Sequence, residues 1–284
     1  MARLIKFALC TLTVLLAACA TQRPTSSFNL DSADTQRVDL SHLLGSVAAT
    51  EATFVVFNPV QNKVIRHNPE RAAQRFLPAS TFKIPNSLIA LEAGVVSGSE
   101  HVLVWSGRVP EDADFWPPSW SRDHSLRSAF GRSVVWYYQA VAREIGAHRM
   151  QDYVNQFDYG NRNLGGGIDQ FWLSGDLRIS ADEQVRFLAR IYYNQLGLDE
   201  KSIQVVKDIM RLRTTDNYQL SGKTGTADLS NSNTLLWLVG YLEQDDGVWF
   251  YALNLEGKSA WGEWGEPSKR QALVVQLLGE VGVL

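Results

Sequence analysis

The chain has 284 residues, of which 45% are hydrophobic and 20% are charged, and this composition suits a soluble globular protein with one large core or two subdomains. The net charge of −3 gives no reason to expect a nucleic acid as partner. Cys10 and Cys19 are the two cysteines, and removal of an N-terminal signal would leave at most one of them. A processed chain therefore has no intramolecular disulfide and no metal site built on thiolates.

Residues 1–19 are predicted to be a targeting segment. A basic start precedes an apolar run over 7–18, which is too short to span a bilayer comfortably. Residues 16–19 read Leu-Ala-Ala-Cys and resemble the bacterial lipobox, in which the cysteine is lipidated and becomes the mature N-terminus. Cys19 is therefore the expected lipidation site and lipid anchor. Ordinary signal-peptide cleavage after Ala20 is the alternative.

Residues 20–38 are polar and are predicted to be a flexible tether, which leaves 39–284 as the folded domain. Two strand-like runs, 53–57 and 63–66, surround an Asn-Pro pair and predict a hairpin. The helix that follows is expected to begin at Ser80, which is placed like an N-cap.

A helical insertion is predicted over about 95–213. Its helices are expected at 133–145, 148–157, after a capping box at 180–183, and at about 200–212. Strand-like runs at 218–222, 235–242 and 248–255 precede a C-terminal helix. This order predicts an α+β fold, in which an antiparallel sheet is flanked by helices and a helical subdomain is inserted in the middle of the chain.

Ser80 and Lys83 form an S-x-x-K element. Residues three apart lie on one face of a helix, so the amine of Lys83 can reach the hydroxyl of Ser80. A serine is a weak nucleophile until a neighbouring base takes its proton, and a helix N-terminus offers N–H groups to developing negative charge. The element alone is a weak signal, because it is expected about once by chance in such a chain.

Five further elements follow the S-x-x-K in a specific order. They are Ser133-Val134-Val135, Tyr159-Gly160-Asn161, Phe171-Trp172-Leu173, Lys223-Thr224-Gly225 and Trp237-Leu238-Val239-Gly240. With this set the chain resembles the class D serine β-lactamases, or oxacillinases, from about Ala52 to the C-terminal helix. Penicillin-binding proteins and class A enzymes share S-x-x-K and K-T-G but usually carry S-D-N or S-x-N where this chain reads S-x-V.

The resemblance implies a role for each catalytic residue. Ser80 would be acylated by a β-lactam, and Lys83 would carry a carbamate made from CO2 or bicarbonate, which would be the general base. Trp172 would donate its indole N–H to the carbamate, and Val134 would keep polar groups away from it. Ser133 would pass a proton to the departing lactam nitrogen.

The resemblance also implies the substrate-binding residues. Lys223 and Thr224 would face the substrate carboxylate, and Gly225 would be part of the same substrate-binding segment. The backbone N–H groups of Ser80 and Thr226 would form an oxyanion hole. Arg270 would grip the carboxylate with two parallel bonds, and Lys269 is the alternative if the register slips by one.

The implied function is hydrolysis of the β-lactam ring of penicillin-type antibiotics in the bacterial periplasm, giving antibiotic resistance. The substrate would be the small-molecule partner, and no separate cofactor or metal is expected. A penicillin-binding sensor domain or a slowly deacylating penicillin-binding protein is the alternative. Such sensor domains normally follow transmembrane segments, so the single N-terminal signal favours the free hydrolase.

Overall fold

The computed structural model describes residues 28–111, 113, 115–258 and 260–284. In this part of the chain the strands are β1 (Asp34–Arg37), β2 (Ala52–Asn58), β3 (Lys63–His67), β4 (Arg75–Phe76), β5 (Val102–Leu103), β6 (His124–Ser125), β7 (Ile179–Ser180), β8 (Arg211–Thr214), β9 (Gln219–Asp228), β10 (Thr234–Gln244) and β11 (Gly247–Gly257). The helices are α1 (Pro69–Ala73), α2 (Lys83–Glu92), α3 (Leu126–Gly131), α4 (Val135–Ile145), α5 (Ala147–Phe157), α6 (Ala181–Tyr192), α7 (Glu200–Ile209), α8 (Ala260–Trp264) and α9 (Pro267–Glu280).

Seven strands form one sheet in the order β1-β3-β2-β11-β10-β9-β8. The hairpin β2–β3 and the meander β9–β10–β11 come from opposite ends of the chain and meet where β11 pairs with β2, from Phe250 opposite Phe57 to Leu255 opposite Ala52. The helices between them in sequence form the inserted subdomain. The predicted α+β architecture is confirmed.

Strand β10 separates two hydrophobic cores. Because side chains alternate across a strand, Val239 and Tyr241 pack into the core shared with the helical subdomain. Leu238 and Leu242 pack into the core on the other face, which α9 covers. The sheet is thus covered on both faces, and none of the helices in the described ranges is long and apolar enough to cross a bilayer.

Strand β1 corrects the predicted tether over its described part. It pairs in parallel with β3, from Asp34 opposite Lys63 to Arg37 opposite Arg66, so the sheet is mixed rather than purely antiparallel. All four of its side chains are exposed, so backbone pairing holds the strand and no hydrophobic pattern in the sequence predicts it. Residues 1–27, with the predicted signal segment and Cys19, lie outside the described residues.

Strand β8 corrects the predicted helix over 200–212. Helix α7 ends at Ile209, and the chain then pairs with β9 as the edge strand, with an irregular register between Arg211 and Arg213. Its side chains are mostly exposed, so neither helical nor strand periodicity distinguishes it. The bounds predicted for α4 and α5 agree with the structure to within two residues.

Phe28 generates a prediction about stability. Its ring is 6% exposed and packs against Phe57 and Tyr193 at centroid distances of 6.1 and 5.7 Å. Phe28→Ala should lower the free energy of unfolding by about 3 kcal/mol through lost burial and a residual cavity, measured by urea unfolding. Gln36→Ala, on exposed β1, is the control with little effect. Equal stability of the two variants would show that this segment does not belong to the folded unit.

Candidate active site

Ser80 lies in a 3-10 turn, Ala79–Phe82, that runs directly into α2 at Lys83. The predicted N-cap role is wrong, because Pro78 precedes the turn and the turn has no side-chain cap. The hydroxyl is instead free to meet the lysine, and Lys83 Nζ donates to Ser80 Oγ at 2.8 Å. The contact predicted from the three-residue spacing is therefore present.

Lys83 is completely buried. Burial disfavours an ammonium and holds the pKa of Lys83 well below its ordinary value, and the nearby charge of Lys223 adds to the effect. Val134 and Trp172 are likewise fully buried. Among the described residues the indole Nε1 of Trp172 is a buried donor without an acceptor. Burial thus favours the neutral form of the Lys83 amine over the ammonium.

Ser133 meets a second lysine. It has a left-handed backbone, φ +57°, and is followed by Val134, the residue that directly precedes α4. Lys223 Nζ donates to Ser133 Oγ at 3.1 Å and to the carbonyl of Thr224 at 3.1 Å. Burial, and then the charge of Arg270, lower the pKa of Lys223 to about 7. Two serine–lysine pairs therefore lie side by side.

Gly225 allows β9 to lie directly against the turn that carries Ser80. A Cβ at this position would lie 3.0 Å from the carbonyl oxygen of Pro78 and 3.1 Å from Cγ2 of Thr81. Nearby, the indole of Trp237 on β10 donates to the carbonyl of Leu77 at 2.9 Å. Close packing against the turn therefore explains why the third residue of K-T-G is a glycine. Thr226 follows it on the strand beside the turn.

The Tyr159-Gly160-Asn161 element closes the loop that carries Trp172. The side chain of Asn161 donates to the carbonyl of Asp176 at 2.8 Å and accepts from the backbone N–H of Arg178 at 3.0 Å. Gly160 has φ +55°, and a Cβ there would overlap the Arg178 carbonyl. These contacts hold the loop in its folded position.

Phe82 is where this loop meets α2. Trp172 stacks on the Phe82 ring at a centroid distance of 5.5 Å, and Tyr159 meets its edge at 5.6 Å. The loop therefore places Trp172 against Phe82, the residue directly before Lys83 at the start of α2.

Arg270 is buried rather than a solvated helix charge, with 2% of its surface exposed. Its Nη1 donates to the carbonyls of Gly225 at 2.8 Å and Trp237 at 3.0 Å, and its Nη2 donates to Gly265 at 2.9 Å. Its Nη1 also lies 3.4 Å from the hydroxyl of Thr226. Burial lowers the pKa of Arg270 to about 10.

Lys269, the alternative carboxylate ligand, is exposed, so Arg270 is the residue of the pair that borders the K-T-G strand. Trp120 also borders this region, because its indole donates to the carbonyl of Arg132 at 3.0 Å, immediately before Ser133.

Sequence reasoning missed Gln184, which donates to the hydroxyl of Thr81 at 2.9 Å. Its position in the first turn of a capped helix was predictable, but its contact across 103 residues of chain was not. In the described ranges no group of three or more His, Cys, Asp or Glu side chains is arranged to hold a metal ion.

Comparisons with known proteins agree with this geometry. The family model for the penicillin binding protein transpeptidase domain matches residues 52–278. Beta-lactamase OXA-48 of Klebsiella pneumoniae is 40% identical over 235 residues, which cover 83% of this chain and 85% of the relative.

Two solved structures share the fold. The class D beta-lactamase YbXI from Nostoc has a TM-score of 0.76 at 36% identity and covers 84% of this chain and 100% of its own. The C-terminal domain of the BlaR penicillin-receptor of Bacillus licheniformis has a TM-score of 0.79 at 29% identity and covers 89% and 98%. With the paired serines and lysines, these similarities show that the chain belongs to the class D serine β-lactamases, hydrolases that open the β-lactam ring.

Proposed function

We propose that the protein hydrolyses penicillin-type antibiotics through an acyl-enzyme on Ser80. The observation that carries this proposal is the 2.8 Å hydrogen bond between Ser80 Oγ and the completely buried amine of Lys83. The hydroxyl attacks the lactam carbonyl carbon, and the C–N bond of the ring then breaks. Water releases the acyl group in the second half of the reaction.

Ser133 is proposed to deliver a proton to the departing lactam nitrogen. Its hydroxyl accepts a hydrogen bond from Lys223 Nζ at 3.1 Å, which leaves its own proton free for the leaving group. When Lys223 is charged, it can then donate a proton to the Ser133 oxygen and restore the hydroxyl. The pKa of about 7 for Lys223 lies near the operating pH, which is where proton transfer is most effective.

The oxyanion hole is proposed to consist of the backbone N–H groups of Ser80 and Thr226. The close packing of Gly225 on Pro78 brings the strand that carries Thr226 against the turn that carries Ser80. Each such donor contributes about 3 kcal/mol to the stabilisation of the transition state.

A carbamate on Lys83 is proposed to supply the general base. Only a neutral amine adds CO2, and burial favours the neutral form of the Lys83 amine by lowering its pKa. The residues present fit such a group, because Trp172 offers a buried N–H donor that has no other acceptor among the described residues. Val134, which is fully buried, is proposed to be the apolar wall of this site.

The substrate carboxylate is proposed to bind between Lys223, Thr224 and Arg270. The ammonium of Lys223 lies 3.4 Å from Thr224 Oγ1, and the guanidinium of Arg270 lies 3.4 Å from Thr226 Oγ1. The two cations and the two hydroxyls form a site suited to an anion.

A penicillin-binding sensor is the second candidate, because the BlaR penicillin-receptor domain has the same fold at a TM-score of 0.79. A sensor stays acylated after one reaction, whereas an enzyme releases the product and reacts again. Turnover numbers therefore separate the two candidates.

Covalent chemistry at Ser80 is the first prediction for this site. Intact-protein mass spectrometry with a slow β-lactam should show one added ligand, and Ser80→Ala should show none. The variant should also lose about 10⁴-fold or more in kcat. An adduct that persists in Ser80→Ala would overturn the assignment, and one equivalent consumed without turnover would favour the sensor.

Dependence on CO2 is the second prediction. Because the folded-state pKa of Lys83 is depressed, lowering the pH through it protonates the amine and should reduce kcat. Added bicarbonate should restore activity, and labelled bicarbonate should give a carbon-13 signal that is absent in Lys83→Ala. Trp172→Phe keeps an aromatic ring but removes the N–H, so it should accumulate acyl-enzyme. Full activity under strict CO2 depletion, without such a signal, would contradict the proposal.

Arg270 provides the third prediction. Arg270→Ala should raise KM for penicillins about tenfold or more, since a charge-assisted hydrogen bond contributes about 1.5–3 kcal/mol. It should also destabilise the fold, because three backbone carbonyls lose their donor. Arg270→Ala should therefore lower the free energy of unfolding by more than the loss of an exposed charge would. Exposed Lys269→Ala is the matched control, and a raised KM in that variant alone would contradict the assignment.

We propose from the first nineteen residues of the sequence that the protein is exported to the periplasm and carries a lipid anchor at Cys19. Antibiotic resistance is proposed as the consequence of the proposed activity. Cys19→Ser should move the protein from the membrane fraction to the soluble periplasmic fraction. A wild-type protein that is already soluble and begins at Thr21 would instead support simple cleavage after Ala20.

A further inference from the structure

Gln184 is a buried amide in the first turn of α6, with 1% of its surface exposed. A buried amide requires hydrogen-bond partners. Its Nε2 donates to Thr81 Oγ1 at 2.9 Å, and Thr81 directly follows Ser80. The helix is therefore connected to the turn that carries the nucleophile.

The hydroxyl of Thr81 passes this connection on. It donates to the carbonyl of Pro78 at 2.7 Å, and a hydroxyl has only one hydrogen to donate. Acceptance from Gln184 and donation to Pro78 therefore fix its orientation. These two hydrogen bonds connect Gln184, through Thr81, to the carbonyl of Pro78, the residue that precedes Ala79.

Ala79 makes the turn unfavourable in isolation. Its φ is +47°, a left-handed conformation that an alanine rarely adopts, whereas a glycine adopts it without steric cost. Such a conformation persists only where the surrounding structure holds it. Gly225 and Trp237 also hold the turn, against the sheet.

The start of α6 is itself fixed relative to this turn. Strand β7, which precedes α6, pairs with β4, which precedes the turn, so that Arg75 lies opposite Ser180. Arg75 also forms an ion pair with Glu183, the capping-box residue next to Gln184. Gln184 is therefore held at one position relative to Thr81.

We propose that Gln184 is a positioning residue for the nucleophile. Through Thr81 it holds Ala79 in its left-handed conformation, and this keeps Ser80 Oγ within hydrogen-bond distance of Lys83 Nζ. Without the amide donor the turn relaxes, and the Ser80 hydroxyl moves away from its base. This inference rests on the proposed acyl-enzyme at Ser80.

The test compares acylation in two backgrounds. Gln184→Met has a similar volume but no donor, and it should lower the rate constant of acylation by a penicillin about tenfold, followed by intact-protein mass spectrometry after rapid quenching. In an Ala79→Gly background the left-handed conformation carries no steric cost. There the same Gln184→Met change should lower acylation less than threefold.

Ile191→Ala is the matched control, because Ile191 is also buried in α6 but lies two turns away from Gln184. It should lower the melting temperature at least as much as Gln184→Met and leave the acylation rate constant unchanged below the melting temperatures of both. Acylation at the wild-type rate in Gln184→Met, or an equal loss in both backgrounds, would overturn the inference. Absence of acylation in the wild-type protein would instead refute the proposed function.

Discussion

The burial of the Lys83 amine is the constraint on which the site depends. A charged ammonium without a counter-ion is very unfavourable in an apolar interior, so burial lowers the pKa of Lys83 well below its ordinary value and favours the neutral amine. The proposed carbamate needs a neutral amine beside the Ser80 hydroxyl, which lies 2.8 Å from Lys83 Nζ, whereas an exposed lysine would remain protonated at neutral pH. Val134 and Trp172, which are proposed to surround the carbamate, are likewise fully buried in the core.

A row of three buried basic side chains extends from this point. Burial lowers the pKa of Lys223 and of Lys83; the charge of Arg270 adds to the shift at Lys223, and the charge of Lys223 adds to the shift at Lys83. The guanidinium of Arg270 donates to carbonyls and a hydroxyl, which are neutral, so these contacts leave its charge uncompensated. An anion bound beside Lys223 and Arg270 would offset this repulsion. This arrangement of charges is what the proposed carboxylate site requires.

The architecture explains how this site is held together. Contacts from β9, β10 and α6 meet at the turn with Ser80, although these elements are separated from the turn by long stretches of chain. Asn161 closes the loop that carries Trp172 by bonding to Asp176 and Arg178, which come shortly before β7 and α6. The inserted helical subdomain is thus the structure that brings the loop, the turn and the sheet together.

The sequence by itself determined the family, the α+β order of elements and the identity of the paired serines and lysines, because these depend on short motifs and local periodicity. It also predicted the contact between Ser80 and Lys83, since three residues of helical backbone bring the two side chains together. The helices with clear caps or stops, such as α6 at Ser180 and α4 at Gly146, were predictable for the same local reason.

Only the tertiary structure decided what depends on contacts between distant segments. Strands β1 and β8 lie at the sheet edges with mostly exposed side chains, and backbone pairing rather than a hydrophobic pattern defines them. The burial of Arg270, the left-handed Ala79 and the bond from Gln184 to Thr81 follow from how the helical subdomain packs on the sheet. Local sequence does not encode these contacts, because each one becomes favourable only when the other elements are already in place.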